Sequence, residues 1–218
     1  MSDAAHWDDR YRTTEFIWKT EPNQFLPPEV ADLAPGRALD VACGEGRNAV
    51  WLATQGWDTT GIDFSDVGLT KAAGLAEANG VVVVEWICSD VTTWRPQSHF
   101  DLVLVFYLQL PAQQRAAAFG VAASALAPGG TLLIVGHDLL NLAEGRGGPQ
   151  NPAVLYTPDD VKVDLENSGV PDLVIDRAER RHRPIPTDTS NGNDTDTDTD
   201  TVPAIDCLVR AHRTNESS

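Results

Sequence analysis

Two acids and two glycines frame the part of this chain best suited to chemistry. Asp40-Val41-Ala42-Cys43-Gly44-Glu45-Gly46-Arg47 carries an apolar run into a carboxylate and a glycine turn, and Gly61-Ile62-Asp63-Phe64 ends a second run in another acid. A glycine turn lets backbone approach a ligand with no Cβ in the way. A carboxylate is an acceptor-only group able to receive two O–H bonds, or to face an ammonium. The pattern therefore suits a ligand bearing a ribose and an amine. The turn has no Gly-Lys-Ser/Thr ending, so nothing there would hold a triphosphate and its magnesium.

The surrounding elements are those of a doubly wound α/β sheet. Strands are expected at Arg37–Val41, Trp57–Ile62, Val81–Ile87, Phe100–Phe106 and Thr131–Gly136. Phe100–Phe106 is almost wholly apolar, as in strands covered on both faces of a parallel sheet. Helices alternate with them: one after the glycine turn, ending at Gln55-Gly56, and one capped by Ser65 and stopped at Asn79-Gly80. A third follows Pro111, and a fourth runs from Thr157-Pro158-Asp159-Asp160 to Ser168-Gly169. Breaker residues Pro27-Pro28 and Pro35-Gly36 bracket a short helix over Glu29–Leu33. Two last strands, Asp172–Arg181 and Ala204–Arg213, have no helix between them and should pair antiparallel. This predicts seven strands, mostly parallel, in a Rossmann-like domain over 37–213. Residues 1–36 form an aromatic cover and 214–218 a tail. The Asp-Thr tract over 187–201 cannot bury apolar surface and reads as a disordered loop.

Composition narrows the function. The 218 residues carry a net charge of −16, and removing the four acids of Asp194–Asp200 leaves −12 on the rest. That balance disfavours nucleic acid, which Lys and Arg must hold. No apolar stretch approaches the length of a membrane span, the N-terminus has no signal-peptide pattern, and Cys43, Cys88 and Cys207 have no metal spacing. The three cysteines sit in apolar runs and read as buried free thiols of a cytoplasmic protein.

Four elements in order carry a family resemblance: the Asp40–Gly46 turn, Asp63 ending strand two, Ser89-Asp90-Val91 after strand three, and Leu126-Ala127-Pro128-Gly129-Gly130-Thr131 entering strand five. Together they resemble the class I S-adenosylmethionine-dependent methyltransferases, from about Trp7 to Arg213. One departure is Ala42, which stands at the family's first glycine and should reduce clearance. The aromatic N-terminal segment is similar to the cover of small-molecule methyltransferases of the tellurite-resistance and thiopurine type.

The resemblance implies S-adenosyl-L-methionine as cofactor. Asp63 would take the ribose hydroxyls, Asp90 the adenine amino group with Val91 offering backbone, and Asp40 the methionine ammonium. Ala42, Cys43, Gly44 and Gly46 would approach the methionine portion with Arg47 nearby. Phe64 and Phe106 would pack on the adenine and methionyl chain, and Trp18 would fold over the ligand. The acceptor would be a small nucleophile (a thiol, a heterocyclic sulfur or a chalcogen oxyanion) beside Tyr107 and Gln109. His137 is the base by residue type, in the His137-Asp138 pair.

Two other readings stay open. Gly44-Glu45-Gly46-Arg47-Asn48-Ala49 also fits a dinucleotide fingerprint with Asp63 as its ribose acid, pointing to an NAD(P)-dependent oxidoreductase. Against it stand Asp40, the third acid at Asp90 and the paired terminal strands. A non-catalytic cofactor-sensing domain would keep the same pocket.

Overall fold

The computed structural model describes residues 4–12, 16–17, 19–81, 83–185 and 202–215. The Asp-Thr tract and Trp18 therefore lie outside the described residues. Seven strands form one sheet: β1 (Arg37–Val41), β2 (Asp58–Asp63), β3 (Val84–Cys88), β4 (Phe100–Phe106), β5 (Leu126–His137), β6 (Leu173–Arg183) and β7 (Ala204–Arg213). Their order is β3-β2-β1-β4-β5-β7-β6. The first five run parallel, and β7 inserts antiparallel between β5 and β6.

Alternating side chains of the central strands feed two apolar layers. Leu39, Val41, Val103 and Val105 pack with Phe119, Val161 and Leu165 on one face. Those contacts come from helices α5 (Ala112–Ser124) and α7 (Pro158–Glu166). Ala38, Leu102 and Leu104 pack on the other face with Leu52 and Leu26, from α3 (Arg47–Thr54) and α2 (Leu26–Val30). Helix α4 (Asp66–Ala78) is capped by the Ser65 hydroxyl, which accepts from the Gly68 N–H. At α7 the Thr157 and Asp160 side chains form a reciprocal capping box. Helix α1 (Ala4–Tyr11) lies against α4, and α6 (Asn141–Glu144) follows β5.

Several expected boundaries move for local reasons. Helix α2 covers Leu26–Val30 rather than Glu29–Leu33, because its prolines sit in the first turn, where a missing N–H breaks no bond. Strand β3 starts at Val84, since the Val81 N–H is taken by the Ala76 carbonyl at the end of α4. Strand β5 begins five residues before Thr131: Phe100 pairs with Leu126, and a register shift there accommodates Pro128-Gly129-Gly130. Of the cysteines, only Cys207 is buried; Cys43 is partly exposed and Cys88 exposed, at the tip of the edge strand β3. No helix among the described residues is long and apolar enough to cross a membrane.

The turn between β1 and α3 depends on Gly46, whose φ is +78°. A Cβ there would stand 2.6 Å from the Ala72 Cβ and 2.8 Å from Trp86. Gly56, with φ +90°, has open space around it. Gly46→Ala should therefore cost clearly more stability in urea unfolding than Gly56→Ala, whose loss is left-handed strain alone, about 1 kcal/mol. Equal costs would show that overlap with α4 is unimportant.

Candidate active site

Parallel strands deliver their C-terminal ends to one edge of the sheet, and a cleft of about 400 Å³ opens there. Asp40, Ala42, Cys43, Gly44, Arg47, Asp63, Phe64, Phe106, Tyr107 and His137 all line it. Asp40, at 1% exposure, sits on the α3 side of β1, where one oxygen accepts the Ala49 N–H at 3.2 Å. Asp63 accepts the Gly44 N–H at 2.9 Å on Oδ2 and the Ser65 N–H at 2.9 Å on Oδ1. Each carboxylate is thus fixed by backbone donors and keeps acceptor capacity for a ligand.

Burial raises both carboxyl pKa values; Asp40 is pushed up to about 7 against the moderating Ala49 bond and Arg47 charge. Arg47 is itself held below its ordinary value by burial. The glycine departure at Ala42 has a conformational rather than a spatial cost. Its φ is +58°, in the left-handed region that L side chains disfavour.

The other sequence-predicted residues are distributed differently. Gly46 shapes the turn but does not line the cleft, and neither do Asp90 and Val91. Asp90 is exposed and turns back on its own loop, accepting the Thr92 N–H at 2.8 Å and the Thr92 hydroxyl at 2.7 Å. Val91 is buried in the core with Leu39 and Ile62. Of the three expected acids, Asp40 and Asp63 therefore line the cleft and Asp90 does not. Among the described residues of the cover, Trp7 lines the cleft, stacked on Tyr11 at 5.6 Å.

That cover is tied to the turn and to the two helix starts beside it. The Ile17 N–H donates to both oxygens of Glu45, which also holds Lys71 at 2.9 Å. The Asn23 N–H donates to Asn48 Oδ1 at 2.9 Å, and Ser65 Oγ donates to Asp8. Glu45 and Asn48 were invisible as anchors because their partners are backbone groups of another segment.

The far wall departs most from the sequence reading. His137 faces Asp206 directly across the β5–β7 ladder, with Nδ1 3.3 Å from Asp206 Oδ1. Asp206 Oδ2 accepts the Tyr107 hydroxyl at 2.9 Å and Arg183 Nε at 2.7 Å. Burial would raise the Asp206 carboxyl, but bonds from His137 and Arg183 outweigh it and hold the group below its ordinary value. Tyr107 is shifted well upward by burial and by the Asp206 charge. Asp138, the expected partner of His137, instead accepts the Leu140 N–H at 2.8 Å and Arg180 Nε at 3.0 Å. An antiparallel register could have exposed Asp206, a lone acid in the apolar run Ala204–Val209.

The dinucleotide alternative meets two obstacles here. A pyrophosphate would need the N-terminal donors of α3, where Asp40 already caps Ala49. Strand β7 also inserts antiparallel, unlike the six parallel strands of a dinucleotide fold. The cleft fits an adenosyl sulfonium amino acid better. Asp63 has free lone pairs for hydroxyls, and buried Asp40 lacks a full countercharge that an ammonium would supply.

The Asp40 shift fixes the sign of a stability profile. Between the ordinary value of 3.8 and about 7, the unfolded chain has released a proton that the folded chain retains. Stability therefore falls as pH rises through that window and levels off above it. Asp40→Asn keeps an acceptor for Ala49, so it should abolish this decline, raise Tm at pH 8 and weaken S-adenosylhomocysteine binding. A parallel decline in wild type and variant, by calorimetry, would contradict the assignment.

Residues 38–130 match the family described as methyltransferase domain. Thiocyanate methyltransferase 1 of Arabidopsis thaliana is 28% identical over 140 residues, covering 63% of this chain and 60% of that protein. Its Brassica oleracea counterpart is 29% identical over 61% of this chain and 59% of its own. The chain thus spans about three fifths of the length of these curated relatives. Among solved structures, N-methyltransferase NodS from Bradyrhizobium japonicum WM9 with S-adenosyl-l-homocysteine superposes with TM-score 0.69 at 16% identity, covering 97% of this chain and 99% of that one. A protein of echinomycin biosynthesis, from work on conversion of a disulfide bond into a thioacetal group, gives TM-score 0.70 at 21% identity, covering 99% and 94%. Sheet order and the glycine turn agree with these matches: residues 38–130 are similar to the methyltransferase domain family, and the fold is one shared with solved methyltransferases.

Proposed function

We propose that this protein transfers the methyl group of S-adenosyl-L-methionine to a small-molecule nucleophile, with residues 37–213 as the catalytic domain and 1–36 as its cover. The observation that carries the proposal is the pair of buried carboxylates, Asp40 and Asp63, on one cleft wall opposite Tyr107 and His137. Asp63 would receive the ribose hydroxyls, and Asp40 would face the ammonium with Arg47 near the carboxylate. Phe64 and Phe106 would sandwich the apolar parts. The adenine would extend past Phe64 toward Asp90, whose Oδ2 has no partner among the described residues. Trp18 is proposed to complete the cover.

When bound, the cofactor supplies a methyl group already activated by the positive sulfur. The chain then has to align donor and acceptor in line, exclude water and, where the acceptor carries a proton, remove it. Tyr107, Gln109 and His137 are proposed for the acceptor end. A soft acceptor is favoured: a thiol, a heterocyclic sulfur or a chalcogen oxyanion. The support is the thiocyanate methyltransferase relatives. A cleft of this size lies within the usual range for small ligands. A cytoplasmic location is part of the same proposal.

Calorimetric titration with S-adenosylhomocysteine and, separately, with NAD tests the reading. Binding of the first and not the second is expected; the reverse would overturn it. Asp63→Ala should weaken the first by on the order of 1.5–3 kcal/mol, the worth of hydrogen bonds to a charged group. Transfer of labelled methyl to thiols, but not to protein or RNA, is the expected activity. Activity on macromolecules alone would replace the proposed acceptor class.

A further inference from the structure

We infer that Asp206 on β7 is a positioning residue: it keeps the proton of His137 on Nδ1, leaving Nε2 to receive the proton of the acceptor, and it ties up the Tyr107 hydroxyl as a donor. The inference rests on the methyl-transfer reading above and names the acceptor as a nucleophile that arrives protonated, such as a thiol.

The geometry is specific. Asp206 is fully buried, at 0% exposure, yet two donors bond it from two other segments and the His137 ring stands beside it from a third. Arg183 and Tyr107 share Oδ2, so Oδ1 remains for His137. Oδ1 and His137 Nδ1 are both shut off from solvent, and neither makes an aligned hydrogen bond among the described residues, so each is the other's nearest available partner. Their 3.3 Å separation is long, as such pairs often are before a ligand tightens the site.

The imidazole is also held on its faces. Its centroid lies 4.7 Å from that of Tyr107, and a Cβ on Gly148 would come within 3.0 Å of Nδ1. The side chain is 12% exposed although Nδ1 is buried, so the accessible part of the ring is the rest, turned to the cleft it lines. The carboxylate charge is already met by the Arg183 guanidinium. A neutral imidazole donating through Nδ1–H therefore completes the cluster.

Tyr107 is unsuited to the same task. Its hydroxyl donates to a carboxylate, beside which a tyrosinate would be repelled. Its backbone, at φ +57°, lies in the left-handed region that L side chains disfavour, and the Asp206 bond together with the N–H bond to the Val135 carbonyl at 2.6 Å holds it in place. The hydroxyl is a fixed strut for the His137 ring.

In the reaction so assigned, the acceptor sulfur forms its bond to the methyl carbon as the carbon–sulfonium bond breaks. That bond's electron pair stays on the donor sulfur, which becomes a neutral thioether. The S–H proton passes to His137 Nε2, and the imidazolium charge is faced by Asp206 until water takes the proton. The groups around His137 are Asp206 on β7, Arg183 on β6 and Tyr107 after β4, with Arg47 of α3 next to Tyr107 and Arg183.

The test uses the full chain. Long-range ¹H–¹⁵N correlation of the imidazoles, assigned with His137→Gln, should show His137 protonated on Nδ1 in wild type and on Nε2 in Asp206→Asn. Turnover of a simple thiol should fall at least about 100-fold in both variants, with S-adenosylhomocysteine affinity unchanged. Tyr107→Phe should cost less than either. An Nε2–H tautomer in wild type, a tautomer indifferent to Asp206→Asn, or thiol turnover that survives it would overturn the inference. Failure of wild type to bind S-adenosylhomocysteine would refute the methyltransferase reading instead. The tautomer result needs no turnover and stands apart from that outcome.

Discussion

Two carboxylates removed from water at the tips of adjacent parallel strands set the terms for the rest of this molecule. A buried charge without a full partner costs several kcal/mol. At Asp40 and Asp63 the chain offers mainly backbone N–H groups in compensation. Those N–H groups point the right way only because the turn bends so sharply. Gly44 and Gly46 hold positive φ, and Ala42 is forced into the same region without a glycine's freedom. The cleft is therefore a place where folding free energy is given up, and a cation with hydroxyls is what would restore it.

The same short stretch serves the cover. Glu45 and Asn48 project from the turn and the start of α3 to take the N–H groups of Ile17 and Asn23. The stretch that shapes this side of the cleft thus also fixes the segment laid over it. On the opposite side, the antiparallel insertion of β7 between β5 and β6 does what a parallel strand cannot. It sets Asp206 directly opposite His137 and within reach of Arg183 on the next strand. One sheet thereby presents two walls with different chemistry: buried acids held by backbone donors, and an acid neutralised by arginine beside an imidazole.

Much of the frame was legible in the sequence because it follows from periodicity and punctuation. Strands β1 and β4 and the Ser65 cap lie where the apolar runs and turn residues put them. This side of the cleft was legible because the turn is contiguous: Asp40 through Arg47 sit within eight positions. What depended on long-range pairing was not legible. Asp206 lies 69 positions from His137 and looks like one stray acid in a strand, while neighbouring Asp138 seemed the natural partner. Asp90 shows how order in the sequence leaves side-chain contacts open. It has the right type and order, but at the sheet edge its own loop N–H groups compete for the carboxylate. The first prolines misled for a similar reason, since a breaker inside a helix is harmless in its first turn.

A crystal structure of the protein soaked with S-adenosylhomocysteine would test the two-carboxylate claim most directly. The ribose hydroxyls should lie within hydrogen-bond distance of Asp63 and the ammonium beside Asp40, with the sulfur facing His137 and Tyr107. A ligand lying elsewhere, or one whose ribose and ammonium ignore both acids, would contradict it.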